Sequence, residues 1–332
     1  MRFVLAFGFL FVSALHVGSS VTAQTGEDPK TPAAYSAPSY AQLIQKRRRG
    51  SSEKPVVDPR LQAKVFAAQI GDISAMALDA DGVIYAADQA RGRIIRLVDR
   101  ARDGRMDLRR VIISGLEQPS GIAIIGERLF IADARAVWET SLNGGKLFQV
   151  ASLEHSKALS YPRLLWPSDE GGALFLAITQ MSPEPMGKIV SIDIETGQAR
   201  PVATGQGTVT ALAGGENDRI WAGIGHAAVP VRGGNFVLSE GVEFGEDTEI
   251  NGLALPGQFQ SPDAILGPWK DHIFVARNGK RTAQTSAGSA VNVLAVPTRF
   301  GQPSGNPDIF MEGFMDRSGR TAWGQPGAIL ID

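Results

Sequence analysis

The chain has no cysteine and only four histidines among its 332 residues. The absence of cysteine excludes disulfide bonds, thiolate metal sites and a cysteine nucleophile. Its 33 lysines and arginines nearly balance 34 aspartates and glutamates, which gives a formal net charge of −1. This balance provides no electrostatic basis for binding nucleic acid, so we expect no nucleic-acid partner.

Helical periodicity is almost absent beyond residue 61, and no stretch in that part is apolar enough to span a membrane. Hydrophobic residues nevertheless make up 43% of the sequence, which is enough for a sizeable core. The chain also contains 38 glycines. Together these features favour one large all-β domain over two ordinary mixed domains.

The N-terminus is typical of a secretory signal. Arg2 supplies a positive charge, residues 3–15 are mostly apolar, and Val21-Thr22-Ala23 is a small-residue cleavage pattern. We therefore predict a signal peptide at residues 1–23, cleavage near Ala23, and a periplasmic or secreted protein with no transmembrane span in its mature chain. A retained membrane anchor is the alternative, although the apolar run is shorter than the ~20 residues that a spanning helix needs.

Residues 24–60 are rich in proline, serine, threonine and alanine, which predicts a tether. A short basic segment, Lys46-Arg47-Arg48-Arg49, lies within it. Such a segment either contacts an anionic membrane surface or is simply solvated. The globular domain is predicted to cover residues 61–332.

Five short segments of this domain share one pattern: an aliphatic residue, an aromatic residue, any residue, a small residue, any residue. They are IYAAD, LFIAD, LFLAI, IWAGI and IFVAR, starting at residues 84, 129, 174, 220 and 273. An apolar strand precedes each of them, and two further predicted strands complete each unit. Four-stranded repeats of about 45 residues are typical of a β-propeller. A sixth innermost strand, GAILI at residue 327, predicts six blades.

The last blade poses a problem of closure. The segment KVFAA, at residues 64–68, is predicted to be its outermost strand, but the sequence stops at Asp332 just after its innermost strand. Two middle strands are therefore unassigned, and the last blade is expected to be incomplete at the C-terminus. The sequence leaves three explanations open: a truncated C-terminus, strands supplied by the tether, or a blade that stays incomplete.

In each blade the first strand starts, and the second strand ends, on the same face around the central channel. The run Arg277-Asn278-Gly279-Lys280-Arg281 lies on this face and brings three cations and an amide together. Such a cluster suits an anionic ligand or a quinone with carboxylates, because a guanidinium can bind a carboxylate through two hydrogen bonds. An exposed hairpin turn is the alternative.

Two histidines are also expected on this face. His155 lies beside Glu154 and is a candidate general base, and His226 follows a second strand. For both, a solvated loop histidine is the simpler alternative. His272 is expected on the opposite face, in a structural role.

Asp99, Asp103 and Asp107 resemble an acidic calcium loop, but Ala101 interrupts the alternation of oxygen ligands that such a loop needs. We therefore favour a turn that connects two blades. The metal ligands, if there are any, are unknown from the sequence.

Four passages carry a resemblance to a known family. They are EQPSGIAIIGERLFIAD from residue 117, DRARDGRMD from residue 99, FVARNGKR from residue 274, and PDIFMEGFMDRSGRTAWGQPGAI from residue 307. In order and spacing the chain resembles the soluble glucose/sorbosone dehydrogenase family over residues 61–331. The resemblance implies a six-bladed propeller that oxidises a sugar or aldose with pyrroloquinoline quinone (PQQ) and calcium, and a redox partner that accepts the electrons.

The resemblance also implies roles for individual residues. His155 would be the catalytic base, and the quinone would lie near Arg163, Arg277, Asn278, Lys280 and Arg281. Where the family has Arg-Asn before the fourth inner strand and Arg before the sixth, this chain has Gln206-Gly207-Thr208 and Gln325. The alternative function is therefore a non-catalytic propeller that binds a carbohydrate or a protein partner on its channel face.

Overall fold

A computed structural model gives the fold of most of the chain. It describes residues 2–7, 10–16, 56–57, 61–153, 159–181, 183–215, 218–245, 248–255, 269, 271–279, 291–299, 302–314 and 326–331. These residues are mostly in β-strands, with one 3₁₀ turn at Leu238–Glu240. Within these ranges, no helix has the length and apolar character needed to cross a membrane.

Four strands lie before the first complete repeat: β1 (Arg2–Phe7), β2 (Leu10–His16), β3 (Val56–Val57) and β4 (Leu61–Ala68). Blade 1 contains β5 (Ile73–Leu78), β6 (Ile84–Asp88), β7 (Arg93–Val98) and β8 (Leu108–Ser114). Blade 2 contains β9 (Gly121–Ile125), β10 (Arg128–Ala132), β11 (Ala136–Ser141) and β12 (Phe148–Ser152). Each blade is a four-stranded antiparallel sheet in sequence order.

The next three blades follow the same plan. Blade 3 contains β13 (Leu159–Pro167), β14 (Ala173–Gln180), β15 (Met186–Asp193) and β16 (Ala199–Gln206). Blade 4 contains β17 (Val209–Gly215), β18 (Arg219–Ile224), β19 (Ala227–Arg232), β20 (Asn235–Phe236) and β21 (Val242–Glu243). Blade 5 contains β22 (Thr248–Ala254), β23 (His272–Gly279), β24 (Asn292–Arg299), β25 (Gln302–Pro303) and β26 (Asp308–Glu312). The last strand is β27 (Pro326–Ile331).

The second strand of a blade is buried on both faces because a neighbouring blade packs against each. All five residues of β6 are buried, and so are all residues of β18 except Arg219. This explains why these strands are continuous apolar runs in the sequence, without the alternation of a half-exposed strand.

The innermost strands form a closed ring. In order they are β5, β9, β13, β17, β22 and β27; each contacts the next, and β27 contacts β5. Their approach is close between blades 2 and 3, where a Cβ on Gly121 would lie 2.5 Å from the carbonyl oxygen of Arg163. The predicted β-propeller architecture is thus confirmed.

Blades 3 and 4 are also joined at their outer edges. The last strand of blade 3, β16, pairs in parallel with the short strand β20 of blade 4 through Thr204 and Asn235. The two blades therefore form one nine-stranded sheet.

The last blade was expected to be incomplete, but in the structure it is a complete sheet. It has four strands in the order β27, β1, β2, β4, so residues 2–7 and 10–16 provide its two middle strands. The outermost strand, β4, contains the predicted KVFAA segment, so that prediction is confirmed. We call this sheet blade 6.

The predicted tether also contributes to the sheet structure. Val57 and Val56 of β3 pair with Met311 and Glu312 at the outer edge of blade 5. Residues 24–55 and 58–60, including the basic segment at 46–49, lie outside the described residues.

Candidate functional site

The strand register supports the predicted channel face. At the start of the innermost strands, Ile73 pairs with Asp88, Val209 with Ile224 and Thr248 with Gly279. Each second residue closes the second strand of its blade. Starts of first strands and ends of second strands therefore lie at the same edge of each sheet.

Arg277 lies at this edge, one residue before Asn278 near the end of β23. Its Nε donates a hydrogen bond of 2.7 Å to Oδ1 of Asn292, the first residue of β24. Its guanidinium carbon is 6.0 Å from the centre of the Phe244 ring, within reach of a cation–π contact. Arg277 is half-buried.

Asn278 points to the other side of the strand and is only 7% exposed. Its Oδ1 is buried without a hydrogen bond. Buried amide oxygens normally have a donor, and leaving one without a donor costs about 1–3 kcal/mol. Oδ1 of Asn278 is therefore a buried acceptor at the channel edge that no protein donor satisfies.

Hydrogen bonds connect the chain segments around this edge. Thr248, the first residue of β22, is buried and donates a 3.0 Å hydrogen bond from Oγ1 to the carbonyl of Phe244. The N–H of Phe244 in turn donates to the carbonyl of His226 in blade 4. We call Arg277, Asn278, Asn292, Phe244 and Thr248 the blade 5 cluster. His226 adjoins this cluster through its backbone, on the predicted face.

Arg277 occupies the fifth position of the repeated motif, where blades 1 and 2 have aspartate. In blade 1, Asp88 accepts a 2.8 Å hydrogen bond from Nε of Arg93, the first residue of the third strand. In blade 5 the cation is on the second strand, and Asn292 on the third strand is the acceptor. The position is the same, but the charge on the second strand is reversed.

Arg163 lies in β13 of blade 3, one residue before Leu164, which pairs with Ala177 of β14. Its backbone N–H donates to Oγ of Ser120, the residue before β9 of blade 2, at 2.8 Å, and the residue is only 3% exposed. The pairing before this point is irregular, because Ser160 pairs with Thr179 but Leu164 pairs with Ala177. Arg163 is therefore a buried residue beside the start of β9.

Three predicted site residues lie outside the described residues: His155, Lys280 and Arg281. The blade 5 cluster therefore brings together two of the predicted residues, Arg277 and Asn278. Asn292, Phe244 and Thr248 were missed by sequence reasoning. Blade 1 offers a pattern by which Asn292 could be found. There, Asp88 at the end of the second strand pairs with Arg93 at the start of the third strand, and the same pattern predicts a partner for Arg277 at the start of the third strand of blade 5.

His272 lies at the start of β23, at the opposite edge of the sheet, as expected. Its ring packs edge-on against Trp269, with 5.2 Å between ring centres. Burial lowers the pKa of His272 below its ordinary value, and the nearby carboxylates of Asp308 and Asp271 oppose this effect. These contacts agree with a structural role.

The acidic loop between β7 and β8 uses its carboxylates within the loop. Asp99 accepts hydrogen bonds from the N–H groups of Asp103 and Gly104, at 3.2 and 2.8 Å. Asp107 accepts from the N–H groups of Arg100 and Ala101, at 2.6 and 2.9 Å. This geometry favours the turn that connects two blades over a calcium loop.

The described residues do not by themselves fit the implied cofactors. Calcium needs six to eight oxygen ligands, and the ranges of the chain that the structure describes contain no group of three acidic or histidine side chains able to hold a metal. A quinone with several carboxylates needs several accessible cations. Arg277 is partly accessible, whereas Arg163 is buried.

Comparison with solved structures agrees with the architecture. A chain of the nidogen/laminin complex has a TM-score of 0.59 and 13% identity, with 99% of this chain and 97% of that chain covered. The PQQ domain of pyranose dehydrogenase from Coprinopsis cinerea has a TM-score of 0.56 and 11% identity, with 83% of this chain and 91% of that chain covered. The PQQ-bound aldose sugar dehydrogenase from Streptomyces coelicolor has a TM-score of 0.55 and 12% identity, with 84% of this chain and 90% of that chain covered.

The chain is a β-propeller. At these identities the similarity extends to the fold alone. No protein-family model matches the chain, and no curated protein matches it. The β-propeller architecture implied by the glucose/sorbosone dehydrogenase resemblance is thus confirmed, because a PQQ domain of a pyranose dehydrogenase and a PQQ-bound aldose sugar dehydrogenase are among the structures that share it.

Proposed function

We propose that the protein binds a small carbohydrate at the blade 5 cluster and is a sugar dehydrogenase-like propeller. The observation that carries this proposal is the buried Oδ1 of Asn278, which has no hydrogen bond at the channel edge. A sugar hydroxyl that reaches this oxygen can donate to it. Arg277 and the ring of Phe244 lie on the other side of the same strand end and form the second part of the cluster.

The finer proposal is PQQ-dependent oxidation of an aldose. Its support is the sequence resemblance and the shared fold with two PQQ sugar dehydrogenases. In this proposal His155 would take the proton of the hydroxyl group that is oxidised, and a bound quinone would take the hydride from the carbon that carries it. Lys280 and Arg281, which follow Arg277 closely in the sequence, would supply positive charge for the carboxylates of the quinone, and a redox partner would take up the electrons of the reduced quinone.

A second candidate is a non-catalytic propeller that binds a carbohydrate or a protein. Two observations favour it: Arg277 is already engaged by Asn292, and the described residues hold no carboxylate cluster for calcium. The similar chain from the nidogen/laminin complex belongs to a protein–protein assembly, which illustrates this use of the fold.

Calorimetric titration with a panel of aldoses tests the shared part of the proposal. Asn278→Ala should weaken the binding of a sugar about 2- to 10-fold, the effect of losing one hydrogen bond. Asn235→Ala is the matched control, because Asn235 is an exposed residue of β20 in blade 4. Lack of binding of every aldose by the folded protein would contradict the proposal.

The same protein, titrated with PQQ and calcium and then assayed by dye reduction, separates the two candidates. Quinone binding with sugar-dependent reduction supports the dehydrogenase. Sugar binding without quinone binding supports the non-catalytic propeller. In an active preparation, unchanged turnover of His155→Ala would exclude His155 as the base.

A further inference from the structure

Blade 6 combines the two ends of the chain. Its innermost strand is β27, and its outermost strand is β4. Between them, β1 pairs with β27 through Phe3 and Ile331, and β2 pairs with β4 through Ser13 and Lys64. Among the described strands, the hydrogen-bonded connection from β27 to β4 passes through β1 and β2.

Both outer members of this blade are fixed by neighbouring blades. On one side, β27 contacts β22 of blade 5 and β5 of blade 1. The approach to blade 5 is so close that a Cβ on Gly252 would clash with the carbonyl oxygen of Gly327. On the other side, Phe66 and Ala67 of β4 are buried with Ile73 of blade 1. The positions of β27 and β4 are therefore set independently of β1 and β2.

A gap of two strands would remain between β27 and β4 without the N-terminal residues. Three inter-strand spacings separate the two strands, which is roughly 14 Å. The gap would expose two rows of unpaired backbone groups, one on β27 and one on β4. Exposed strand edges of this kind promote aggregation, so some pair of strands must occupy the gap in a stable propeller.

The composition of β1 and β2 suits this place. Their only ionisable residues, Arg2 and His16, lie at the outer ends of the pair. The second strands of other blades, which are equivalent to β1, are apolar runs buried on both faces, as in β6 and β18. The core of a secretory signal is an apolar run as well, so composition agrees with both roles. The strand pairing distinguishes them.

We propose that residues 2–7 and 10–16 remain in the folded protein as the two middle strands of blade 6 and close the propeller. This proposal opposes the predicted cleavage near Ala23, because the same residues cannot both be removed and complete the sheet. It is independent of the proposed function.

The absence of cysteine allows a direct test in the full chain. Ser13→Cys combined with Lys64→Cys, and Ala14→Cys combined with Ala63→Cys, each place cysteines at directly paired positions of β2 and β4. Neighbouring pairs alternate between wide and narrow spacing in an antiparallel sheet, so one of the two suits a disulfide. Ser13→Cys with Arg200→Cys, on β16 of blade 3, is the control.

We expect one of the two paired variants to form an intramolecular disulfide under mild oxidation, and the control to form none. We also expect the intact mass of protein expressed with its own N-terminus to include residues 2–23. Two results would overturn the proposal: a folded monomer that begins at Gln24, or a folded full chain in which neither pair cross-links.

Discussion

The Nε of Arg277 donates a 2.7 Å hydrogen bond to Oδ1 of Asn292, across the second and third strands of blade 5. Asn292 is only 2% exposed, so this bond to a charged donor lies in a largely water-free environment. In blade 1 the corresponding pair is Asp88 and Arg93. The exchange of an acid for a base on the second strand makes blade 5 positively charged where blades 1 and 2 carry aspartates.

Replacing Asn292 should destabilise the protein. Asn292→Ala removes the acceptor of a charge-assisted hydrogen bond, which typically costs about 1.5–3 kcal/mol. Urea denaturation followed by tryptophan fluorescence measures this loss. The control, Asn235→Ala, changes an exposed side chain of β20 and should alter the free energy of unfolding by less than about 0.5 kcal/mol. Equal effects of the two substitutions would contradict a role for the bond.

Gly121 is expected to tolerate no side chain. A Cβ there would lie 2.5 Å from the carbonyl oxygen of Arg163 and 2.9 Å from the N atom of Leu165. Both are backbone atoms of the adjacent innermost strand, so Gly121→Ala should force blades 2 and 3 apart. We expect a loss of about 1–3 kcal/mol in unfolding free energy.

The matched control for that substitution is Gly172→Ala. No atom lies within 4 Å of the Cβ that would be added at Gly172. The free energy of unfolding of the Gly172→Ala variant should stay close to that of the parent protein. If Gly121→Ala were as stable as Gly172→Ala, the inner strands would be less tightly packed than the structure shows.

Tyr85 links two strands of blade 1 through its buried hydroxyl group. The hydroxyl donates to Oδ2 of Asp79 at 3.2 Å and accepts from Nε of Arg96 at 3.3 Å. Tyr85→Phe leaves both partners without this oxygen and should cost about 1–3 kcal/mol at neutral pH. Chemical denaturation at pH 7.5 measures the difference, and an unchanged unfolding midpoint would exclude a stabilising role of the hydroxyl.

The same tyrosine predicts a loss of stability at alkaline pH. Burial, the largest cause, raises the pKa of Tyr85 in the folded protein above its ordinary value of about 10. The unfolded chain therefore loses the proton first, so stability is retained below pH 10 and falls as the pH rises above it. The decline should be smaller in Tyr85→Phe than in the parent protein, when both are compared from pH 9 to pH 11.

His272 predicts a loss of stability at acid pH. Because burial holds its folded-state pKa below the unfolded value of about 6.5, protonation favours the unfolded chain. The contribution of His272 is present above pH 6.5 and is lost as the pH falls toward the lower folded pKa. His272→Gln should reduce the difference in unfolding free energy between pH 7.5 and pH 5. If the variant kept the full difference, other groups would be its source.

Much of the fold follows from the sequence because one motif repeats at a regular interval. The second strand of blade 1 begins at the predicted residue, Ile84, and those of blades 2 and 3 begin one residue early, at Arg128 and Ala173. The N-terminal strands were not predicted, because residues 3–15 have the composition of both a secretory signal and a buried strand. Sequence pattern alone does not separate these two roles.

The candidate site was only partly predictable. Arg277 and Asn278 were expected on the channel face because they end a second strand, and their position follows from strand direction. Arg163 was expected on the same face, but its burial beside Ser120 was not expected. The pairing before Leu164 is irregular, and no periodicity in the sequence reports such an irregularity. Asn292 was missed because a single asparagine at the start of a strand carries no signal of its own.

The union of both chain ends in blade 6 also sets an order of events during synthesis. Blades 1 to 4 consist of contiguous residues and can form as the ribosome releases them. β4 pairs with β2, which is synthesised earlier, but the edge of β1 must wait until residues 326–331 emerge. This takes on the order of tens of seconds at ordinary translation rates. During this interval the nascent chain is an open arc whose two ends have not met, and a chaperone that shields the edge of β1 would act in that period.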